Sequence, residues 1–130
     1  MRLVRAAAGP MVEMTPADEP TKRARDIVIL GSTVGRHISP FSSMYGATKF
    51  AVNSMAEATR RELGPKGVRV SLIEPAVVRS EFQQVAGYSD DLVGNFEERF
   101  GPLLAPEDIA RLVTFIVTQP AHVHINDVVI

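Results

Sequence analysis

Ser32, Tyr45 and Lys49 are residue types that, brought together, can move a proton onto or off an oxygen atom. Tyr45 and Lys49 are four residues apart, so on a helix they stand one turn apart on the same face. A tyrosine with a pKa near 10 is only about 0.1% ionised at neutral pH, and a useful base requires a shift of about three units, on the order of 4 kcal/mol. One positive charge ~4 Å away at an effective dielectric of ~20 supplies about that much, so Lys49 alone is sufficient in size and no metal is needed. Ser32, thirteen residues before Tyr45, could hold the oxygen of a carbonyl or alcohol while Tyr45 gives or takes its proton. Such a site lacks only a hydride partner.

The elements around these residues read as alternating strand and helix. Ile27 to Gly31 is a short apolar, β-branched run ended by glycine, which predicts a buried strand and delivers Ser32 to its carboxyl end. Ligands of open α/β sheets bind at that end. A helix is expected from about Ser43 to Leu63, with Met44, Ala47, Ala51, Val52, Met55 and Ala58 as the apolar stripe facing the sheet. Gly64-Pro65 ends it, Gly67 leads into a second buried strand, Val68 to Glu74, and the crossover makes the two strands parallel. Leu92, Val93, Phe96 and Phe100 are spaced for a short amphipathic helix. Pro106 opens a further helix, with Glu107 and Asp108 in its first turn and Ile109, Leu112, Val113, Ile116 and Val117 as its apolar stripe, and Pro120 stops it. His37 reads as a loop residue, and His122 and His124, lacking a third ligand, as solvated side chains rather than a metal site.

Ser32, Tyr45 and Lys49 at these spacings resemble the catalytic serine, tyrosine and lysine of the short-chain dehydrogenase/reductase family. Asp26 to Gly31 resembles that family's fifth strand, Val68 to Glu74 its sixth, and Ile125 to Ile130 its last. The turn Pro75 to Ser80 resembles the family's Pro-Gly-x-Val-x-Thr segment beside the nicotinamide, with Ala76 in place of glycine and Ser80 in place of threonine. The resemblance covers about residues 26–130 and is nearest to the bacterial branch acting on 3-hydroxy acids and small alcohols. It implies an α/β fold, the C-terminal half of a doubly wound, Rossmann-like parallel sheet with about three strands. It also implies an NAD(P)-dependent oxidoreductase that transfers hydride between a ketone and an alcohol. In that role Tyr45 would be the acid or base, Lys49 would depress its pKa and hold the nicotinamide ribose, and Ser32 would orient the substrate oxygen. Pro75, Val78 and Ser80 would contact the nicotinamide carboxamide, and the cofactor would be NADP or NAD.

The amino-terminal part departs from the family pattern. Before Gly31 the chain has one glycine, Gly9, so no Gly-x-x-x-Gly-x-Gly turn is present, and no asparagine precedes Asn53. Residues 1–25, with three prolines and mixed charges, are expected to be an irregular or disordered arm. The chain therefore reads as a truncated reductase, weak or inactive alone. Without the preceding strand and helix, an edge of Ile27 to Gly31 and the surface near Val52 and Met55 should lack cover, implying a homo-oligomer or an unstable isolated chain. Two rival readings are a non-catalytic interaction or dimerisation module and a sugar-nucleotide isomerase that shares Tyr-x-x-x-Lys; the turn at Pro75 to Ser80 disfavours the isomerase.

At 130 residues and 45% hydrophobic content the chain can form one small domain. Its net charge of −1 argues against electrostatic binding of nucleic acid. No apolar run reaches the ~18 residues of a membrane span. The absence of cysteine excludes disulfides and is compatible with the cytoplasm. The expected partner is a small-molecule alcohol or ketone.

Overall fold

The computed structural model describes residues 2–14, 24–37, 43–85 and 87–130. Its elements are α1 (Arg2–Glu13), β1 (Arg25–Leu30), α2 (Ser43–Leu63), β2 (Val68–Glu74), α3 (Phe82–Val85), α4 (Asp90–Phe100), α5 (Pro106–Val117) and β3 (Asp127–Val129). The strands form one parallel sheet in the order β1-β2-β3, as a β-α-β chain requires. In β1 and β2 the register runs from Arg25 opposite Val68 to Leu30 opposite Ile73. Ladder bonds from Leu72 N to Asn126 O and from Ile130 N to Glu74 O extend the pairing of β3 beyond its three regular residues.

β2 is the centre of the molecule, and every one of its seven residues is buried. Alternation along the strand sends Val68, Val70 and Leu72 into one cluster with Ile29, Ala56 and Leu63. Its polar residues are buried as deeply, Arg69 at 6%, Ser71 at 2% and Glu74 at 0% exposure, so each must find partners inside the protein. Ser71 Oγ donates to Ile125 O at 2.6 Å, which ties β2 to the approach to β3.

The structure corrects the expected arm. Arg2–Glu13 is a helix despite Pro10, and Ala8, Met11 and Val12 pack against the core cluster together with Ile27, Val52 and Met55. The area around Val52 and Met55, expected to be bare, is therefore half-buried. Burial of one apolar face outweighs the local cost of Gly9 and Pro10, because packing rather than propensity supplies most helix stability. Residues 15–23 of the expected arm lie outside the described residues.

α2 has the expected bounds, and Val52 and Met55 of the expected stripe pack against the core, but the rest of its inward face differs. Gly46, Ala56 and Leu63 are its buried residues, whereas Met44 is 79% exposed and Ala47, Ala51 and Ala58 face outward. A glycine and an asparagine, Asn53, stand where the core side was expected to carry larger apolar groups, since the helix must lie close to the turn after β1. Among the described residues, no partner strand covers the outer edge of β1, and no helix is long and apolar enough to cross a membrane.

Candidate active site

Ser32 lies two residues beyond β1, buried and in extended conformation (φ −171°, ψ 155°). Its hydroxyl oxygen accepts from Val34 N at 3.4 Å and so caps the one-turn 3-10 helix Thr33–Gly35. The same hydroxyl is 3.5 Å from Pro75 O, and Thr33 N donates to Pro75 O at 3.1 Å. The turn after β1 is thus stitched to the turn after β2, and both open at the carboxyl edge of the sheet.

α2 approaches this edge closely. A Cβ on Gly35 would fall 2.8 Å from Asn53 Nδ2 and 2.9 Å from Lys49 O, and one on Gly31 would fall 3.0 Å from Asn53 Oδ1. A larger residue at Gly35 would therefore meet the backbone of α2, whereas one at Gly31 would meet the side-chain ends of Asn53 and Leu72. Tyr45 is half-buried, with its ring 5.8 Å from that of Phe82. Lys49 Nζ lies 5.6 Å from the Tyr45 ring centroid and donates to Gly31 O at 3.0 Å and Leu30 O at 3.4 Å. Burial lowers the pKa of the Lys49 ammonium below its ordinary 10.5. Lys49 therefore both faces the tyrosine and fastens α2 to the end of β1.

A cavity of about 290 Å³ opens here, and Ser32, Tyr45, Pro75, Val78 and Ser80 all line it. Lys49 is not in its wall; it sits behind the tyrosine. Ala76 needs no left-handed backbone, since among the described residues only glycines have positive φ. A parallel bridge pairs Val78 with Leu104 through Arg79 N to Leu104 O and Leu104 N to Val77 O. That pattern turns Val78's own amide groups to the opposite side, where its carbonyl accepts from Gln83 Nε2 at 2.6 Å. Its N–H is directed away from Leu104. Ser80 Oγ accepts from Phe82 N at 3.3 Å and keeps its own proton to donate. A donor amide and a hydroxyl on a turn that shares a cavity with Tyr45 fit a planar carboxamide.

Three participants are absent from the sequence reading. Glu74, fully buried at the end of β2, accepts from Arg36 Nε and Nη2, both at 2.5 Å, and from Asn53 Nδ2 at 2.6 Å. Asn53 Nδ2 also donates to Gly35 O at 3.1 Å, while its Oδ1 is buried with no partner. This group holds the turn, the strand end and α2 in one arrangement. The signal was a glutamate closing an apolar strand, a placement that demands a buried donor. Phe82 and Tyr88, also unanticipated, line the cavity, and Tyr88 is followed by Phe96 at 6.5 Å and Phe100 at 6.2 Å from ring to ring. Leu92 and Val93 fall within α4, with their side chains outside the described residues.

The histidines divide. His37 and His122 are exposed, but His124 is half-buried with Nε2 3.0 Å from Val70 N, which corrects its reading as solvated. The same nitrogen is 3.0 Å from Val70 O, which also accepts from Arg60 Nε at 2.9 Å, so the imidazole is seated against the backbone of β2.

Residues 2–90 match the family described as short chain dehydrogenase, a span that includes α1 as well as the site. Sulfoacetaldehyde reductase 2 of Chromohalobacter salexigens is 35% identical over 106 residues, 82% of this chain and 42% of that protein. An NADP-dependent 3-hydroxy acid dehydrogenase of Salmonella typhi is 38% identical over 103 residues, 78% of this chain and 42% of that protein. The closed form of serine dehydrogenase complexed with NADP+ superposes with a TM-score of 0.80 at 34% identity, covering 98% of this chain and 48% of that one. The chain spans less than half the length of these relatives. With the family match extending over residues 2–90 and the fold superposing on serine dehydrogenase over 98% of the chain, the chain belongs to the short chain dehydrogenase family.

Proposed function

We propose that this chain carries the proton-transfer side of an NAD(P)-dependent oxidoreductase that interconverts a ketone and an alcohol. One observation carries the reading: Ser32 and Tyr45, thirteen residues apart in sequence, line one cavity with the Pro75 to Ser80 turn. Tyr45 gives its phenolic proton to the carbonyl oxygen during reduction and takes it back during oxidation. Ser32 holds that oxygen, and Lys49, its ammonium 5.6 Å from the tyrosine ring centroid, places a positive charge beside the phenol. The Val78 amide and the Ser80 hydroxyl, on the turn that Pro75 opens, would hold the carboxamide of NADP or NAD, which when bound supplies the hydride. In a protein that provides the rest of the fold, Tyr45→Phe removes the transferable proton and lowers ketone reduction by at least ~10²-fold. Turnover close to that of the unsubstituted protein would end the assignment.

The chain alone is a weak catalyst in this reading, because no glycine-rich turn among the described residues faces a pyrophosphate. NADPH or NADH then binds with a dissociation constant above ~1 mM, about 4 kcal/mol or less. Calorimetry giving micromolar affinity would overturn this. The open edge of β1 favours self-association, so light scattering at micromolar concentration should find oligomers; a stable monomer contradicts it. We place the protein in the cytoplasm on the same family reading.

A further inference from the structure

We propose that the substrate of this site is an uncharged ketone or alcohol with an aromatic body, and not a small oxo or hydroxy acid. The proposal rests on the oxidoreductase reading above and concerns what its cavity accepts.

The wall leading away from the reacting phenol is made of rings. Tyr45 meets Phe82 at 5.8 Å with planes inclined by 40°, and Phe82 meets Tyr88 at 6.2 Å nearly edge-on at 80°. Val34, Val77 and Val78 add branched aliphatic surface. The cavity of about 290 Å³ also contains the Val78 and Ser80 groups assigned to the nicotinamide, so the substrate's share is the side walled by Tyr45, Phe82 and Tyr88. The one amide in the lining is spent within the protein, as Gln83 Nε2 donates to Val78 O at 2.6 Å and its Oε1 accepts from Ser80 N at 3.1 Å. Polarity is thereby concentrated at the hydroxyls, beside the atoms that must meet the reacting oxygen.

A carboxylate or sulfonate would need a cation, and none of the described lining residues is charged. The nearest candidates are committed elsewhere. Arg36 is paired with Glu74 beneath the turn, Lys49 donates to the carbonyls of Gly31 and Leu30, and Arg79 is ion-paired with Glu97 of α4. His37 is exposed and outside the lining. An anion entering this cavity gives up water without gaining a counter-charge, whereas an aryl group gains edge and face contacts with Phe82 and Tyr88. The acids named for the relatives thus meet no charge complement among this chain's described residues.

Tyr45 and Tyr88 are the chain's two tyrosines and both line the cavity, so their ring resonances report on it directly. The test is an NMR titration of the unsubstituted chain with acetophenone and, separately, with acetoacetate. Acetophenone should shift both tyrosines in a saturable way and bind at least ~10-fold more tightly than acetoacetate. Phe82→Leu, which keeps apolar volume and loses the ring, should weaken acetophenone about 5-fold. Acetoacetate binding as tightly as acetophenone, no saturable shift with acetophenone, or indifference to Phe82→Leu each overturns the proposal. Loss of the hydride-transfer reading would show instead as undiminished ketone reduction by Tyr45→Phe in a protein that provides the rest of the fold, and would leave these binding curves unchanged.

Discussion

The two ends of β2 each bury a charge, and they do so for different ends. At the amino end Arg69 is closed in by acceptors. Its Nε and Nη2 grip Asp26 at 2.7 and 2.8 Å, and Nη1 reaches the carbonyls of Gln119, Pro120 and Val123 at 2.8 to 3.0 Å. Nη2 also meets Val117 O, a free carbonyl at the end of α5, where positive charge is favourable. At the carboxyl end Glu74 has two donor side chains, one of them 43% exposed, and its neighbour Asn53 keeps an unpaired oxygen. The amino end joins three elements with nothing left over. The carboxyl end joins the turns that carry Ser32 and the cavity, and its packing is less complete. Rigid joining at one end and looser joining at the ligand end is the division expected of a sheet that binds at its carboxyl edge.

Breaking the tighter end should cost most. Arg69→Met leaves Asp26 buried without its partner and frees four carbonyls, so a loss of roughly 3–5 kcal/mol is expected from urea unfolding. Against a total of ~5–15 kcal/mol for a typical domain, the variant is barely folded. Adding Asp26→Leu should recover only part of this, because the carbonyl contacts stay lost. A cost below ~1 kcal/mol would mean the arginine is not the joint we take it for.

Glu74→Gln tests the looser end and should cost less, about 1–3 kcal/mol, as water can reach Arg36 and a glutamine oxygen can still accept from Asn53. The effect should also be local. Amide exchange should accelerate at Gly35 and Arg36, whose N–H groups bond Ser32 O and Thr33 O, and stay slow at Leu72 in mid-strand. Equal acceleration at both places would erase the distinction between the two ends.

The same contrast explains what could be read from sequence. β2 and α2 were legible to the residue because Gly67, Gly64-Pro65 and the apolar runs are local signals of start and stop. Ser32 and Tyr45 were legible as a pair because their spacing is set by one strand, one turn and one helix. What could not be read depends on partners distant in sequence. Arg69 looks like a solvated residue until Asp26 and the carboxyl end of α5 surround it, and His124 until β2 presents Val70 N. α1 looked irregular because Gly9 and Pro10 are strong local breakers, and only the core it covers reverses that. The part of α2 nearest the site was misread for a related reason, since the turn with Gly31 and Gly35 rewards close approach over apolar size, whereas Val52 and Met55 face the core as expected.

Lys49 allows the smallest and most specific test, because its charge belongs to the looser end yet among the described residues it bonds two carbonyls and no carboxylate. Burial lowers its pKa in the folded chain below the ordinary 10.5. Below that lowered value both folded and unfolded chains hold the proton, and the folded state bears the whole cost of burying an ammonium. Between the lowered value and the unfolded one, near ~10.4, the unfolded chain holds a proton that the folded chain has released. Stability contributed at this site therefore rises with pH across that window. Lys49→Met removes the titration but keeps most of the apolar stem's packing. The unfolding free energy of the unsubstituted chain, relative to Lys49→Met, should shift in its own favour as pH goes from about 8 to the unfolded value. Paired urea titrations at both pH values measure it, and subtracting the variant cancels the other groups that titrate in the range. A shift in the opposite sense would mean that the Gly31 and Leu30 carbonyls stabilise the ammonium more than burial penalises it, and the carboxyl end of the sheet would then be as fully compensated as the amino end.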